Sequence, residues 1–163
     1  MMAGSKKKTK EDDEIQSVCR NKRAYHEYEI FDTLECGIVL TGTEVKSLRE
    51  HAANIEDAYA KIEGRELWLV GSDIPEYTMG NRLNHKPKRS RKLLLHKREI
   101  DKFAGKASQQ GFTLIPLRLY FKQGRAKIEI AVARGKKLYD KRDTQKKAEV
   151  AKEIRKAMKG RRR

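Results

Sequence analysis

The sequence predicts an all-β core with accessory helices, closed into a small OB-like barrel. Two observations lead to this prediction. Six or more short segments have the alternating or aromatic-rich composition of strands, and two helical segments with one apolar face interrupt them. Closure into a barrel removes the exposed edges that so many short strands would otherwise present. An OB-like Greek-key barrel is a common form of such closure among nucleic-acid-binding proteins.

The predicted strands have short apolar periodicity or a buried apolar run, and polar turn residues separate most of them. Two pairs are predicted to form hairpins, because Gly64 and Gly124 lie in the short polar segments that join them. The predicted strands are 24–32, 35–40, 58–62, 66–70, 91–96, 112–121 and 127–133.

Two helices are predicted to accompany the strands. Apolar residues share one face of 41–49, and Thr43 is a candidate N-cap for that helix. Apolar residues also share one face of 97–110, where Gly111 is placed to end the helix. The 163 residues are enough for one domain with a core plus tails, and no internal repeat is visible.

Charge is unevenly distributed along the 163 residues, which carry a formal net charge of +16. Residues 27–79 contain 12 acidic and 4 basic residues, whereas residues 80–98 contain 8 basic and no acidic residues. Residues 117–163 contain 18 basic and 5 acidic residues. A polarised basic excess favours a polyanionic partner, with nucleic acid as the first candidate and an anionic membrane surface as the second.

Composition divides the chain into three parts. Residues 1–20 join a lysine block to an acidic block and are predicted to form a flexible charged arm. Residues 21–133 contain all the predicted strands and are predicted to form the OB-like, RNA-binding part. Residues 134–163 form a basic tail with a thin apolar stripe. An isolated helix of this length is marginal in water, so we expect a tail that is disordered when free and helical when bound. The alternative is a helix packed permanently on the core.

The motifs that are missing disfavour several classes of function. The sequence has no glycine-rich phosphate loop, no H-E-x-x-H and no G-x-S-x-G. Cys19, Cys36 and the four histidines show no metal-ligand spacing. We therefore expect no enzymatic activity, no metal and no cofactor. No apolar run is long enough to cross a bilayer, and residues 1–14 lack a signal-peptide pattern, so a cytoplasmic protein is expected.

The basic segment 86–92 lies between predicted strands. As a bare motif it is compatible with a nuclear import signal, a phosphate-binding loop or a solvated turn. Its position beside the predicted barrel favours phosphate contact. The residues predicted to bind RNA here are Lys88, Arg89, Arg91 and Lys92.

Six blocks in one order resemble small protein B, the SsrA-binding (tmRNA-binding) protein family of trans-translation. They extend over about three quarters of the chain, which makes the resemblance far more specific than any single motif. The blocks are NKRAYHEY (21–28), LTGTEVKSLR (40–49), NIEDAY (54–59), NHKP (84–87), RKLLLHKREI (91–100) and GKKLYDKR (135–142).

This resemblance implies an OB-type barrel that binds the tRNA-like domain of transfer-messenger RNA. It implies delivery of that RNA, together with elongation factor Tu, to ribosomes stalled on truncated messages. The tail would then probe the small-subunit decoding centre and the empty mRNA channel. We expect a monomer with no membrane partner. The rival interpretations are a structural OB-fold ribosomal protein and, less favoured, an RNA-processing enzyme.

The resemblance also implies site residues. Glu35, Leu94 and Lys127 correspond to barrel positions that engage RNA, and Tyr28 and Tyr59 support them. A carboxylate can accept hydrogen bonds from base or ribose donors, whereas a lysine suits phosphate. Tyr139 could stack on a ribosomal base. The implied ribosome-binding residues of the tail are Arg134, Gly135, Lys136, Lys137, Tyr139, Asp140, Lys141 and Arg142.

Overall fold

The computed structural model describes residues 15–50, 53–109 and 111–160. These residues form strands, helices and one short 3-10 helix, Asn81–Leu83. The strands are β1 Ile15–Arg20, β2 Tyr28–Ile38, β3 Tyr59–Glu63, β4 Glu66–Val70, β5 Arg91–Leu94, β6 Phe112–Lys122 and β7 Arg125–Gly135. The helices are α1 Ala24–Glu27, α2 Gly42–Arg49, α3 Lys97–Ala107 and α4 Leu138–Gly160.

Six strands close into a ring of antiparallel pairs. Strand β2 pairs with β7, β7 with β6, β6 with β3, β3 with β4, β4 with β5, and β5 returns to β2. The β3–β6 pairing is narrow and consists of Ala60 opposite Leu114. Strand β1 adds to the free edge of β6 beyond that point. The predicted all-β core with accessory helices is therefore confirmed as a closed ring of strands.

The main core fills the inside of this ring. Alternate residues of each strand point inward, as the period of a half-buried strand requires. Helices α2 and α3 contribute Leu48 and Phe103 to the same core. A smaller apolar cluster lies on the outer face of β6 and β7 beneath α1. Its buried members are Ala24, Ile115, Leu117, Ala131 and Ala133.

The predicted strand pair 24–32 and 35–40 is wrong. The chain instead forms the short helix α1 and then one continuous strand, β2, which pairs with β7 through a register shift between Ile30 and Asp32. The reason lies in tertiary contacts. The Ala24 N–H donates to Asn21 Oδ1 at 3.0 Å, and Asn21 Nδ2 donates to the Pro116 carbonyl at 3.0 Å. These bonds hold Ala24 in the outer apolar cluster and start the helix.

The predicted flexible arm 1–20 is wrong for its last six residues, which form β1; residues 1–14 lie outside the described part of the chain. Strand β1 pairs with the edge of β6 and has a register shift between Ser17 and Cys19. Burial raises the pKa of the Cys19 thiol to about 11. The thiol is therefore protonated at neutral pH and acts as a packing group.

The two predicted helices are confirmed with different ends. Thr41, not Thr43, is the N-cap of α2, and the third helical residue, Glu44, completes a capping box with it. Helix α3 ends at Ala107, before the position predicted from Gly111.

Helix α4 is exposed along most of its length. Among the described residues, no helix is both long and apolar enough to span a membrane.

Candidate nucleic-acid interface

Three of the predicted RNA-binding residues come together on the outer face of β2, β5 and β7. In the sheet register, Gly37 of β2 lies opposite Leu94 on one side and Lys127 on the other. Glu35 lies two residues earlier on the same face of β2. Leu94 and Lys127 line an open pocket of about 410 Å³ with an apolar floor that includes Val45. The face therefore combines an apolar surface, a cation and a carboxylate.

Leu94 is 53% exposed although it is a large apolar residue in a strand. Gly37 allows it to lie close to β2, because a Cβ at position 37 would meet Leu94 Cβ at 3.2 Å, which is tighter than ordinary packing. An apolar side chain held in the open beside a cation is suited to contact with a base or ribose, while Lys127 and Arg125 on the pocket wall suit phosphate.

Glu35 is held by neighbours on β6. The Tyr120 hydroxyl donates a hydrogen bond to Glu35 Oε2, and Lys122 Nζ lies 3.6 Å from the same oxygen. The hydrogen bond from Tyr120 lowers the pKa of Glu35, and the charges of Lys122 and Lys127 act in the same direction. Glu35 is therefore ionised at neutral pH and is available as a hydrogen-bond acceptor.

Tyr28 and Tyr59 lie together in a different pocket of about 260 Å³. Its wall also includes Asn21, and Arg23 at its rim donates to Asp57 and to Glu27. Tyr28 is the first residue of β2, and the seven residues to Glu35 span about 23 Å of extended strand. The structure thus brings the two tyrosines together but places them apart from the Glu35 face.

The structure buries Arg91, which argues against the RNA contact predicted for it from the basic segment. Its side chain is 0% exposed. Arg91 Nε donates to Glu44 Oε1 at 2.9 Å, Nη1 donates to the Ser72 carbonyl, and Nη2 donates to the Pro87 carbonyl. These donors are occupied inside the protein, so the guanidinium holds the segment before β5 against Glu44 and the Ser72 carbonyl.

Arg89 is partly used by the same carboxylate. Its Nε and Nη2 donate to the two oxygens of Glu44 at 2.7 and 2.6 Å. Burial acts to raise the pKa of Glu44, but the hydrogen bonds from Arg89 and from the Thr41 N–H, with the charges of both arginines, hold that pKa below its ordinary value. Glu44, Arg89 and Arg91 form what we call the Glu44 network.

Lys92 and Lys88 differ in availability. Lys92 Nζ donates to Glu66 Oε1 at 2.6 Å on the neighbouring strand, and both side chains remain partly exposed. Lys88 is exposed and, within the described residues, forms no ion pair. Of the four predicted basic contacts in this segment, Lys88 is thus the most available cation.

The predicted start of the tail is part of the folded body. Arg134 and Gly135 are the last residues of β7. The Arg134 guanidinium lies 5.5 Å from the centre of the Phe31 ring and 5.6 Å from that of Phe112, and Arg134 Nη2 lies 3.9 Å from Glu29 Oε2. These contacts hold the end of β7 in place, so the boundary predicted at residue 134 is too early.

Lys136 attaches the chain after β7 to α1. Its N–H donates to the Glu27 carbonyl at 2.8 Å, and its Nζ donates to the Tyr25 carbonyl and to Thr144 Oγ1, both at 3.1 Å. Lys137 follows, and Lys141 and Arg142 lie in the first turns of α4. The backbone of Tyr139 and Asp140 is helical, but their side chains lie outside the described part of the structure.

Comparison with known proteins identifies the family. The SmpB protein family model matches residues 18–160. The chain belongs to the SmpB protein family. It is 55% identical over 145 residues to an SsrA-binding protein of Desulforudis audaxviator, covering 89% of this chain and 95% of that one. It is 53% identical to an SsrA-binding protein of Mesorhizobium japonicum, covering 88% and 91%.

A solved structure of an SmpB relative agrees with this fold. The chain matches, with a TM-score of 0.64 and 47% sequence identity, a protein in the structure described as "tmRNA-SmpB: a journey to the center of the bacterial ribosome". The match covers 74% of this chain and 85% of the other. The family resemblance predicted from six sequence blocks is therefore confirmed.

Sequence reasoning missed the residues of this SmpB family member that support the site. The local sequence pattern places Tyr120 and Arg118 in a core strand, and it indicates that Glu44 is an ordinary surface residue of a helix. Their partners are 85, 11 and 47 residues away in the sequence. The capping pattern around Thr41 is one available signal for Glu44, because a glutamate at the third helical position often bonds back to the cap. Within the described residues, no cluster of metal-ligand side chains occurs.

Proposed function

We propose that this chain binds the tRNA-like domain of transfer-messenger RNA and delivers it to stalled ribosomes in trans-translation. The observation that carries the proposal is the convergence of Glu35, Leu94 and Lys127 on one outer face. The names of the relatives support it, since those proteins are SsrA-binding proteins, and the description of the matched solved structure names tmRNA-SmpB and the bacterial ribosome.

In this proposal the ring is an OB-type barrel that offers three kinds of contact. Leu94 packs against an exposed base or ribose, Lys127 binds phosphate, and Glu35 accepts a hydrogen bond from a base or a 2′-hydroxyl. Tyr28 and Tyr59 support the chain around their own pocket. Lys88 adds phosphate contact from the basic segment, with Arg89 and Lys92 contributing through their exposed parts. Arg91 is not included.

The segment after β7 is proposed to act on the ribosome. Lys137, Lys141 and Arg142 supply positive charge at the start of α4, and Tyr139 stacks on a base of the decoding centre. Helix α4 then lies in the empty mRNA channel, where phosphates of ribosomal RNA face its basic side. The exposed stripe of Val150, Ile154 and Met158 is too thin to stabilise the helix alone, so the tail is disordered in the free protein.

The delivery complex contains elongation factor Tu, and the protein acts as a cytoplasmic monomer without enzymatic activity. The experiment that tests the proposal is to purify the protein from its cells and sequence the RNA that accompanies it. One dominant tRNA-like species is expected. A stoichiometric presence on all ribosomes, with no such RNA, would favour a structural ribosomal protein. RNA turnover in the presence of added metal would favour a processing enzyme.

The division into an RNA-binding body and a ribosome-binding tail needs its own test. A chain ending at Gly135 retains all of β7, whereas one ending at Ala133 removes the pairs that Arg134 and Gly135 form with β2. The chain ending at Gly135 is expected to keep most of its affinity for the tRNA-like RNA and to lose tagging on stalled ribosomes. Loss of RNA binding by a folded chain ending at Gly135 would contradict the two-part arrangement.

A further inference from the structure

The outer face of the ring carries two carboxylates directly opposite each other. Glu35 of β2 lies opposite Glu129 of β7 in the sheet register. Like charges in opposite positions destabilise a strand pair. Each carboxylate in fact has its own partner on β6. Arg118 Nε donates a hydrogen bond to Glu129 Oε2 at 2.5 Å, whereas Glu35 Oε2 accepts a hydrogen bond from the Tyr120 hydroxyl.

Tyr120 is itself held in place on both sides. Its side chain is on the outer face, yet the residue is only 2% exposed. The Arg118 guanidinium lies 4.8 Å from the centre of its ring, and Arg118 is in turn fixed by Glu129. The tyrosine hydroxyl therefore has little freedom to move away from Glu35.

We propose that Tyr120 is a positioning residue for Glu35, which directs one oxygen of that carboxylate toward the RNA. The inference rests on the proposed function. Tyr120 and Lys122 both contact Oε2, and Oε1 accepts no hydrogen bond from the described residues. The Glu35 side chain remains 38% exposed. One oxygen thus fixes the side chain and the other is left for a single donor on the RNA.

A tyrosine suits this task better than an arginine would. The phenol orients the carboxylate as a neutral donor, so the negative charge of Glu35 persists and can select a base or ribose donor while repelling phosphate. Burial and the hydrogen bond to Glu35 raise the pKa of Tyr120, so the phenol keeps its proton. Arg118 is kept from pairing with Glu35 because Glu129 already holds it.

The test is a double-mutant cycle of binding to a transcript of the tRNA-like domain. Glu35→Gln is expected to weaken binding about tenfold, the loss of one hydrogen bond to a charged group. Tyr120→Phe, which keeps the ring, is expected to weaken binding about fivefold. The double variant should bind like Glu35→Gln alone, because Tyr120 acts only through Glu35. Tyr77→Phe removes a hydroxyl from a loop outside this face and should leave binding unchanged.

A pH profile separates positioning from a general structural effect. The hydrogen bond from Tyr120 is the main cause that lowers the pKa of Glu35, so Tyr120→Phe should raise that pKa. As the pH is lowered, Glu35 in the variant is then protonated earlier, and RNA binding should decline at a higher pH than in the unmodified protein. NMR titration of the Glu35 side-chain carboxyl in the free protein reports the same change without RNA. It also supplies a measurement on the unmodified chain in case Tyr120→Phe does not fold.

The outcomes are distinguishable. Binding by Tyr120→Phe equal to that of the unmodified protein, with Glu35→Gln weakened, would overturn the inference and leave the proposed function intact. Losses that add fully in the double variant would also overturn it. Unchanged binding by Glu35→Gln would overturn the assignment of Glu35 as an RNA contact, and the inference with it. A Glu35 carboxyl that titrates at its ordinary pKa in the unmodified protein would contradict the hydrogen bond itself.

Discussion

Two glutamates of this protein, Glu44 and Glu35, are both ionised and both held by side chains of other elements, yet they serve different ends. Glu44 is fully buried and accepts hydrogen bonds from two arginines. Glu35 is partly exposed and is oriented by a neutral phenol, with a lysine farther off. Glu44 pairs with Arg89 and Arg91, two cations that the sequence predicted to bind RNA. Glu35 keeps its charge at the surface.

The difference shows that burial and partner type decide what a charged residue does. A buried ion pair costs desolvation on both sides and tolerates no missing partner. The Glu44 network is therefore expected to respond to substitution through stability. A partly exposed carboxylate with a free oxygen has little influence on folding and responds through binding.

Glu44→Ala should be the most damaging of these substitutions to the fold. It leaves the buried Arg91 guanidinium without its carboxylate, and breaking a buried pair in this way costs about 3–5 kcal/mol. The free energy of unfolding from urea titration is the measurement. Glu29→Ala is the matched control, because Glu29 is exposed and its contact with Arg134 is 3.9 Å long. A loss below about 1 kcal/mol for Glu44→Ala would show that the network is not a stabilising unit.

The stability of the protein should fall with acidification in a way that depends on Glu44. Its pKa is lowered on folding from 4.5, so its contribution is fully present above that value and is lost as the pH falls through the lower, folded pKa. Thermal unfolding from pH 6 to pH 3 should show this decline. Glu44→Gln should start less stable and show a shallower decline. An equally steep decline in the variant would assign the acid sensitivity to other carboxyls.

Leu94→Ser should weaken RNA binding by about tenfold while leaving the fold nearly unchanged. Removing an apolar contact of this size from a complex corresponds to about 1–2 kcal/mol. Leu94 is already more than half exposed in the free protein, so the ring loses little. Binding measured beside unfolding separates the two effects. Val39 is also an exposed apolar residue and directly follows β2, so Val39→Ser serves as the comparison. Equal losses from both substitutions would mean that the contact is not specific to Leu94.

Lys88→Ala should have the smallest effect, visible mainly in the salt dependence of RNA binding. Loss of one phosphate contact reduces the slope of log affinity against log salt by about 0.7–0.9. Arg89→Ala should change the slope less and stability more, because Arg89 is paired with Glu44. A slope that falls equally in both variants would show that Arg89 leaves Glu44 to bind RNA.

Local pattern was sufficient for the regular parts of the fold. The hairpins β3–β4 and β6–β7 follow from short-range alternation around Gly64 and Gly124, and both glycines have the positive φ that such turns need. The helices α2 and α3 follow from one apolar face each. In the candidate site, the convergence of Glu35, Leu94 and Lys127 was anticipated only through family resemblance, and the sheet register accounts for it.

Long-range contacts decided what the sequence pattern could not. Segment 15–20 is a strand because β6 offers an unpaired edge, and 24–27 is a helix because Asn21 reaches the Pro116 carbonyl. Local composition predicts neither the unpaired edge of β6 nor the position of the Pro116 carbonyl beside Asn21.

Residue order over short spans was enough to establish the family, the basic character and the alternation of the strands that close the ring. Which of the charged side chains remain free depends instead on long-range contacts in the fold. Arg91 and Lys88 are equivalent in a list of basic residues, but Arg91 faces a carboxylate 47 positions earlier and lies inside the protein, whereas Lys88 is exposed. A charge is available to RNA only if folding leaves it in water, and that depends on which distant groups the fold brings beside it.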